Sequence, residues 1–243
     1  MPILAERGYL IPAIGDQYVK CAEHLRDSIL SWHPNANITI LTEDQLPAGN
    51  QGGFANDWQV FSASPYRQTI KLEADMFCAS PIDHWWTLFE KRDVVISQGA
   101  RTYYNQPATS RFYRKIFDDN NLPDVYNAIT YWRLSHTAKE FFDLTKEIFN
   151  NWNEFKKLLK FPDDEATTDV VYAIAAVITG PERITLPNGI GPQIVHMKRR
   201  IIGTLTDNWT KELVWEFTNP GLRIQTVAQN GLVHYHIKDW LCQ

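Results

Sequence analysis

The opening of the chain constrains its fold more than any other stretch. Residues 8–14 are mostly apolar, and Gly15-Asp16 punctuates them. A segment of helical period follows, in which Tyr18, Cys21, Ala22, Leu25, Ile29 and Trp32 recur at three- and four-residue steps and so share one face. His33-Pro34-Asn35 ends it, and residues 37–41 alternate β-branched with other side chains before meeting Thr42-Glu43-Asp44. Strand, helix and strand at this spacing make a βαβ unit, whose strands run parallel with a right-handed crossover. The sequence thus predicts an α/β protein with a mixed, mostly parallel sheet flanked by helices.

Further along, residues 47–53 are rich in Gly, Asn and Gln and read as a loop within a domain. A helical turn is expected over residues 64–68, with Pro65 at its first position. Residues 70–72 then read as a short strand running into Glu73-Ala74-Asp75. Residues 82–90 suit an aromatic helical segment, and residues 93–97 a buried strand. Ala138, Phe141, Phe142, Thr145, Ile148, Phe149 and Trp152 form a helical stripe. Residues 164–178 read as a helix opened by acids that complement its dipole. After a turn-rich stretch over residues 181–191, residues 194–198 and 232–238 read as short strands carrying His and Lys. No repeat or linker divides the chain, and 243 residues with 44% hydrophobic content suit a single domain.

Lys and Arg total 24 against 28 Asp and Glu, so the net charge of −4 gives no whole-chain field for polyanions. Nucleic acid would need a local basic patch. Cys21, Cys78 and Cys242 match no metal spacing and no disulfide framework, which fits a reducing compartment. No basic-then-apolar leader and no apolar run approaching the ~20 residues of a membrane span is present, so a cytoplasmic location is expected. The abundant Trp, Tyr and Phe serve either as stacking platforms or as core with a polar edge.

Glu73 and Asp75 stand at i and i+2 just past a buried strand, so both reach one ion or one polar ligand. Mg²⁺ and Mn²⁺ take carboxylate oxygens and keep positions open for substrate phosphates. Ligands of open α/β sheets sit outside the carboxyl ends of strands, where these acids fall. The competing account makes Glu73 a solvated edge residue and Asp75 a turn cap.

Ile70-Lys71-Leu72-Glu73-Ala74-Asp75-Met76 resembles the apolar strand and Asp-Ala-Asp motif of GT-A (Rossmann-like) glycosyltransferases, above all the glycogenin-like family eight. The resemblance implies a nucleotide-binding half over residues 1–100 and an acceptor half with a C-terminal metal and phosphate segment over residues 101–243. It assigns Ile11, Ala13, Tyr18 and Ala74 to the nucleotide, with Arg67 and Lys71 as the basic residues ahead of the acids. Tyr126-Asn127-Ala128-Ile129 is similar to a segment that lines the sugar, which points to Asn127. Asp163-Asp164-Glu165 stands where an acidic segment contacts the transferred sugar, making Asp164 and Glu165 catalytic candidates; their other role is to serve a helix dipole.

The family's terminal His-aromatic segment with Lys and Trp resembles residues 234–240, here shortened and without its glycine. On a strand His234 and His236 share a face, so either could be the third metal ligand, with His196 in competition. Lys198 and Lys238 are point charges suited to a leaving diphosphate. The first motif acid is Glu73, one methylene longer than Asp, which leaves Asp75 the surer ligand.

These features imply a glycosyltransferase using Mn²⁺ or Mg²⁺ and a UDP-sugar donor, with positioning and electrostatics supplying the rate and, by resemblance, retention of configuration. The acceptor is a sugar, a protein or modified DNA. Residues 64–71 resemble bacteriophage-encoded glycosyltransferases, some of which act on hydroxymethylated bases in DNA, and host cytoplasm would then be the location. Arg101, Arg111, Arg114 and Lys115 among Tyr103, Tyr104, Phe112 and Tyr113 form the expected patch, with Lys198-Arg199-Arg200 as a second. A charged helical face with aromatics packed inwards explains the first cluster equally well. Two rival classes stay open: a nucleotidyltransferase on the same scaffold, and a catalytically inactive sugar-binding module.

Overall fold

The structure, a computed structural model, describes residues 2–46, 57–108, 114–161, 165–187, 190–192, 194–197, 201 and 203–241. In chain order these form β1 (Ala5–Pro12), α1 (Asp16–Trp32), β2 (Ile38–Leu41), α2 (Val60–Ala63), β3 (Tyr66–Leu72), β4 (Met76–Cys78), α3 (His84–Phe89) and β5 (Val94–Gln98). There follow α4 (Lys115–Asp119), β6 (Val125–Arg133), α5 (His136–Asn150), α6 (Trp152–Leu159), α7 (Thr168–Thr179), α8 (Pro181–Ile184) and β7 (Ile194–Met197). The chain closes with β8 (Trp215–Phe217), β9 (Leu222–Ile224), β10 (Val227–Ala228) and β11 (Leu232–Tyr235).

The central sheet has the order β2-β1-β3-β6-β5. β1 pairs in parallel with both β2 and β3, and β6 runs antiparallel to β3 and β5, so only β6 opposes the common direction. The βαβ opening is therefore as the sequence predicts. Gly15 precedes α1 at φ 88, a conformation open to glycine at no steric cost. Gly8 is required for a different reason: a Cβ there would stand 2.3 Å from the Tyr66 ring on β3.

Helices cover both faces. On one side Cys21, Leu25 and Ile29 of α1 and Trp85 and Phe89 of α3 pack with Tyr9, Ile11, Ile70 and Leu72. On the other, Phe141, Phe142 and Ile148 of α5 and Val171 and Tyr172 of α7 pack with Leu10, Val94, Ile96 and Trp132. Each fully buried large apolar side chain contributes about 1.5–3 kcal/mol. Two small sheets complete the fold, β4-β11-β7 and β10-β9-β8. In the first, β11 lies antiparallel to β4 and parallel to β7, which brings the end of the chain beside the segment that follows β3.

Several expectations need correction. Tyr66, Arg67 and Gln68 open β3 and form no helical turn, because pairing with β1, joined by β6 from Gln68 onward, outweighs local preference. Pro65 instead follows the end of α2, a common place for a residue that cannot continue a helix. The helix expected from residue 164 starts at Thr168, where the Thr167 side chain accepts from the Val170 amide. Trp152 begins α6 and does not end α5, and β11 stops at Tyr235, short of Lys238. β6 was not foreseen: every residue from Val125 to Trp132 is buried, so the strand lacks the alternation that marks a half-exposed one. Cys78 is free and buried, but Cys21 is disulfide-bonded, against the expectation of reduced thiols throughout. Among the described residues no helix is long and apolar enough to cross a membrane.

Candidate active site

Leu72 ends β3 in the central sheet and Met76 begins β4 in the small one, so Glu73-Ala74-Asp75 is the link between two sheets. The link therefore sits at the carboxyl end of a strand in the parallel part of the sheet, where α/β proteins place ligands. The Glu73 amide donates to the Ala128 carbonyl at 3.2 Å, extending the β3–β6 ladder to the first acid. From β11, His234 Nε2 lies 3.1 Å from Glu73 Oε2 and 3.2 Å from Asp75 Oδ1. Lys238 Nζ reaches Asp75 Oδ2 at 3.2 Å. The Asp75 side chain is 9% exposed and that of Glu73 30%.

The pKa values of the two acids are displaced in opposite directions because their surroundings differ. Burial raises the Glu73 pKa and the Asp75 charge adds to the rise, with His234 opposing both. Burial pushes Asp75 up as well, but the charge and hydrogen bond of His234, then Lys238, hold it well below the usual carboxylate range. For Lys238, burial works to lower the pKa and is outweighed by Asp75 and Tyr18, so the net direction is up. Its ammonium also stands 4.6 Å from the centre of the Tyr18 ring. Gln17 Nε2 donates to Asp239 Oδ1 at 3.3 Å, tying the start of α1 to the turn that carries Lys238.

Glu73, Asp75 and His234 each offer a ligand atom, all within 4.8 Å of one another. Two carboxylates and one imidazole suit a divalent ion of the Mn²⁺ or Mg²⁺ type, and the imidazole favours the former. Behind His234 stands Tyr126 of β6. Its hydroxyl is 2.5 Å from His234 Nδ1 and 2.8 Å from His196 Nδ1. A hydroxyl has one proton, so it donates to one ring and accepts from the other.

A second polar network lies on the β6 side of the link. Asp57 accepts from Lys71 Nζ at 2.8 Å, Asn127 Nδ2 at 3.1 Å and Tyr172 OH at 2.6 Å. Asn127 Oδ1 accepts from Thr130 Oγ1, and the Asn127 amide donates to Asp169 Oδ1 at 2.8 Å. Asp169 Oδ2 in turn pairs with Arg114 Nη1 at 3.1 Å. Burial, then Asp57, raises the Tyr172 pKa well above its ordinary value, so the phenol stays protonated and donates. Lys71 and Asp169 both act on the Glu73 charge, so this network and the acid pair are electrostatically linked.

The structure brings Glu73, Asp75, His196, His234, His236, Lys238 and Tyr18 to one region. Other expected residues stand elsewhere or act differently. Ile11, Ala13 and Ala74 are buried, which leaves only their backbone to meet a ligand. Arg67 opens β3, so the length of that strand separates it from the acids, and it faces Glu6 at 3.7 Å. The Lys71 charge is neutralised by Asp57, and both ends of the buried Asn127 amide are engaged. Glu165 is exposed in a bend before α7, and the acid of that helix's first turn is Asp169. Asp164 and Lys198 lie outside the described residues. So do Arg111, Phe112, Tyr113, Arg199 and Arg200 of the expected basic patches. Within the first patch, Arg114 is buried and paired with Asp124 and Asp169, Tyr103 is buried, and Lys115 pairs with Asp119.

Asp57 and Asp169 escaped the sequence reading, and Tyr126 entered it only as a member of the segment that pointed to Asn127, not as the partner of the histidines. Asp169 stands two residues after Thr167, a spacing that marks the first turn of a capped helix and could have located it. Asp57 and Tyr126 carry no local signal, since their partners are remote in sequence.

No family model matches the chain, and no curated protein matches it. Among solved structures it is similar to the apo form of the glycosyltransferase GlyE of Streptococcus pneumoniae TIGR4. That match has 10% identity over 74% of this chain and 45% of GlyE, with a TM-score of 0.42. The chain thus spans less than half the length of GlyE. Mouse xyloside xylosyltransferase 1 in its apo form matches at 9% identity over 96% of this chain and 98% of that one, with a TM-score of 0.48. The galactosyltransferase LgtC, solved with donor and acceptor sugar analogs, matches at 12% identity over 94% and 87%, with a TM-score of 0.45. Likenesses this distant leave the activity of the chain to be read from its own site.

Proposed function

We propose that the chain is a metal-dependent glycosyltransferase of the GT-A type that moves a sugar from a nucleotide-sugar donor, a UDP-sugar in the first instance, to an acceptor hydroxyl. One observation carries this reading: Glu73, Asp75 and His234 converge at the carboxyl end of β3 with Lys238 and Tyr18 directly beside them. A divalent ion held by Asp75, His234 and Glu73 would supply positive charge against a diphosphate. Lys238 adds a point charge on the same side, which suits a departing nucleoside diphosphate better than a neutral leaving group. The exposed Tyr18 ring offers an aromatic face at the mouth of the site. On the β6 side of the acids, the partly exposed Asp169 is the residue we assign to the sugar or the acceptor, with the buried Asn127 holding it through its backbone amide.

The acceptor we favour is a saccharide or protein hydroxyl. Arg114 gives phosphates no exposed charge, because its buried guanidinium is paired with Asp124 and Asp169, so a base in DNA would depend on the other basic residues of the two patches. A thermal-shift series of nucleoside diphosphates and nucleotide sugars, with and without Mn²⁺, tests the proposal. Stabilisation by one diphosphate only with the ion, together with slow hydrolysis of the matching nucleotide sugar, is the expected result. Pyrophosphate release from a nucleoside triphosphate would instead identify a nucleotidyltransferase. Metal-independent sugar binding without turnover would identify a non-catalytic module.

A further inference from the structure

Three of the chain's seven histidines meet at one place. In the parallel pairing of β11 with β7, His234 stands directly opposite His196, so both side chains leave the same face of the small sheet. His236 follows two residues later, just past the end of β11, where its amide donates to the Met197 carbonyl at 3.3 Å. The ring centroids are 5.5 Å apart for His196 and His234, 5.3 Å for His196 and His236, and 4.7 Å for His234 and His236. One ligand nitrogen from each ring lies within 4.8 Å of the others.

We propose that His196, His234 and His236 form a second cation site, distinct in chemistry from the acid pair, that takes a borderline transition ion such as Zn²⁺ or Cu²⁺. Neutral imidazoles bring no charge to the ion, so they discriminate by ligand type. They favour the zinc and copper end of the series over Mg²⁺ and Mn²⁺, for which carboxylate oxygens are the better match. Three imidazoles also leave a fourth position open, as tetrahedral zinc sites with exchangeable ligands do. The scaffold is suitable because two of the rings are fixed by strand pairing and one hydroxyl, that of Tyr126, orients both of them. His234 belongs to this set and to the set with Glu73 and Asp75, so an ion drawn to the imidazoles competes for the ligand that the acids use. The site stands independently of the transferase reading; only its consequence for activity rests on that reading.

The test removes the acids first. Calorimetric titration of the Glu73→Gln/Asp75→Asn protein with Zn²⁺ is expected to give one site per chain. Adding His196→Asn and His236→Asn is expected to weaken that site by at least about 100-fold. Failure of the acid-depleted protein to bind Zn²⁺, or binding that survives loss of both histidines, overturns the proposal. Because stacked substitutions can unfold a chain, the unaltered protein provides a second reading through the electron paramagnetic resonance of bound Cu²⁺. Hyperfine coupling to three nitrogens supports the site, and coupling to a single nitrogen overturns it.

Discussion

Lys238 Nζ and Asp75 Oδ2 lie 3.2 Å apart across 163 positions of sequence, so the last turn of the described chain meets the acidic link that follows β3. The ammonium faces an ionised carboxylate on one side and the Tyr18 ring on the other. Replacement by Met keeps the length of the side chain and removes its charge. Lys238→Met is expected to lower nucleoside diphosphate affinity by about tenfold, equivalent to ~1.4 kcal/mol. Calorimetry with saturating Mn²⁺ measures it, and unchanged affinity would remove Lys238 from the proposed diphosphate site.

The two acids should not be equivalent. Asp75 is held ionised by His234 and Lys238, whereas burial and the Asp75 charge raise the Glu73 pKa. Asp75→Asn is therefore expected to weaken Mn²⁺ binding more than Glu73→Gln does. Loss of the Asp75 carboxylate is expected to reduce turnover by about 10²–10³-fold, as for removal of a principal electrostatic group. Titrations of both variants with Mn²⁺ check the order, and the reverse order would make Glu73 the principal ligand.

Tyr126→Phe removes one oxygen and leaves the ring in place. Without the hydroxyl, His234 loses the partner at Nδ1 that fixes its orientation, and metal affinity is expected to fall about 10–100-fold. An equal effect on kcat with unaltered metal affinity would show that the hydroxyl serves the substrate and does not orient the ring.

Lys71 separates a structural role from a binding one. Its side chain is 3% exposed against 12% for Asp57, so Lys71→Met strands a largely buried carboxylate. Breaking one partner of such a pair costs about 3–5 kcal/mol. Chemical denaturation should reveal a loss of that order, moderated by Asn127 and Tyr172, which still donate to Asp57. Undiminished stability combined with weaker diphosphate binding would return Lys71 to the proposed donor site.

His33 gives a pH dependence remote from the acids. The Ile82 amide donates to His33 Nε2 at 3.0 Å, which requires the neutral ring. Burial lowers its pKa, with Asp83 opposing and His84 assisting. The unfolded chain therefore takes up the proton first on acidification. The stabilisation is complete above the ordinary value of about 6.5 and is lost as pH falls through the lower folded value. Melting temperatures of His33→Gln are expected to fall less than those of the unaltered chain between about pH 7.5 and about pH 5. Parallel curves for the two proteins would contradict this.

Local pattern went a long way in the sequence. The three- and four-residue steps from Tyr18 to Trp32 specify α1, and the apolar runs on either side specify β1 and β2, because each of these elements buries one face and writes its period into the chain. Glu73 and Asp75 were legible for the same reason, as charges abruptly ending an apolar strand. By contrast β6 is buried on both faces and shows no period, and residues 66–68 are strand because they pair with β1, with β6 joining at Gln68.

Sequence by itself thus determined the α/β class, the parallel opening unit and the position of two acids just past the end of β3, all properties carried by neighbours a few residues apart. Tertiary structure alone decided which histidine faces the acids, that Lys71 answers to Asp57, and that Arg114 is a buried ion-pair partner of Asp124 and Asp169. Such pairings depend on strand order and crossovers that bring together residues far apart in the chain, and no local period encodes that order.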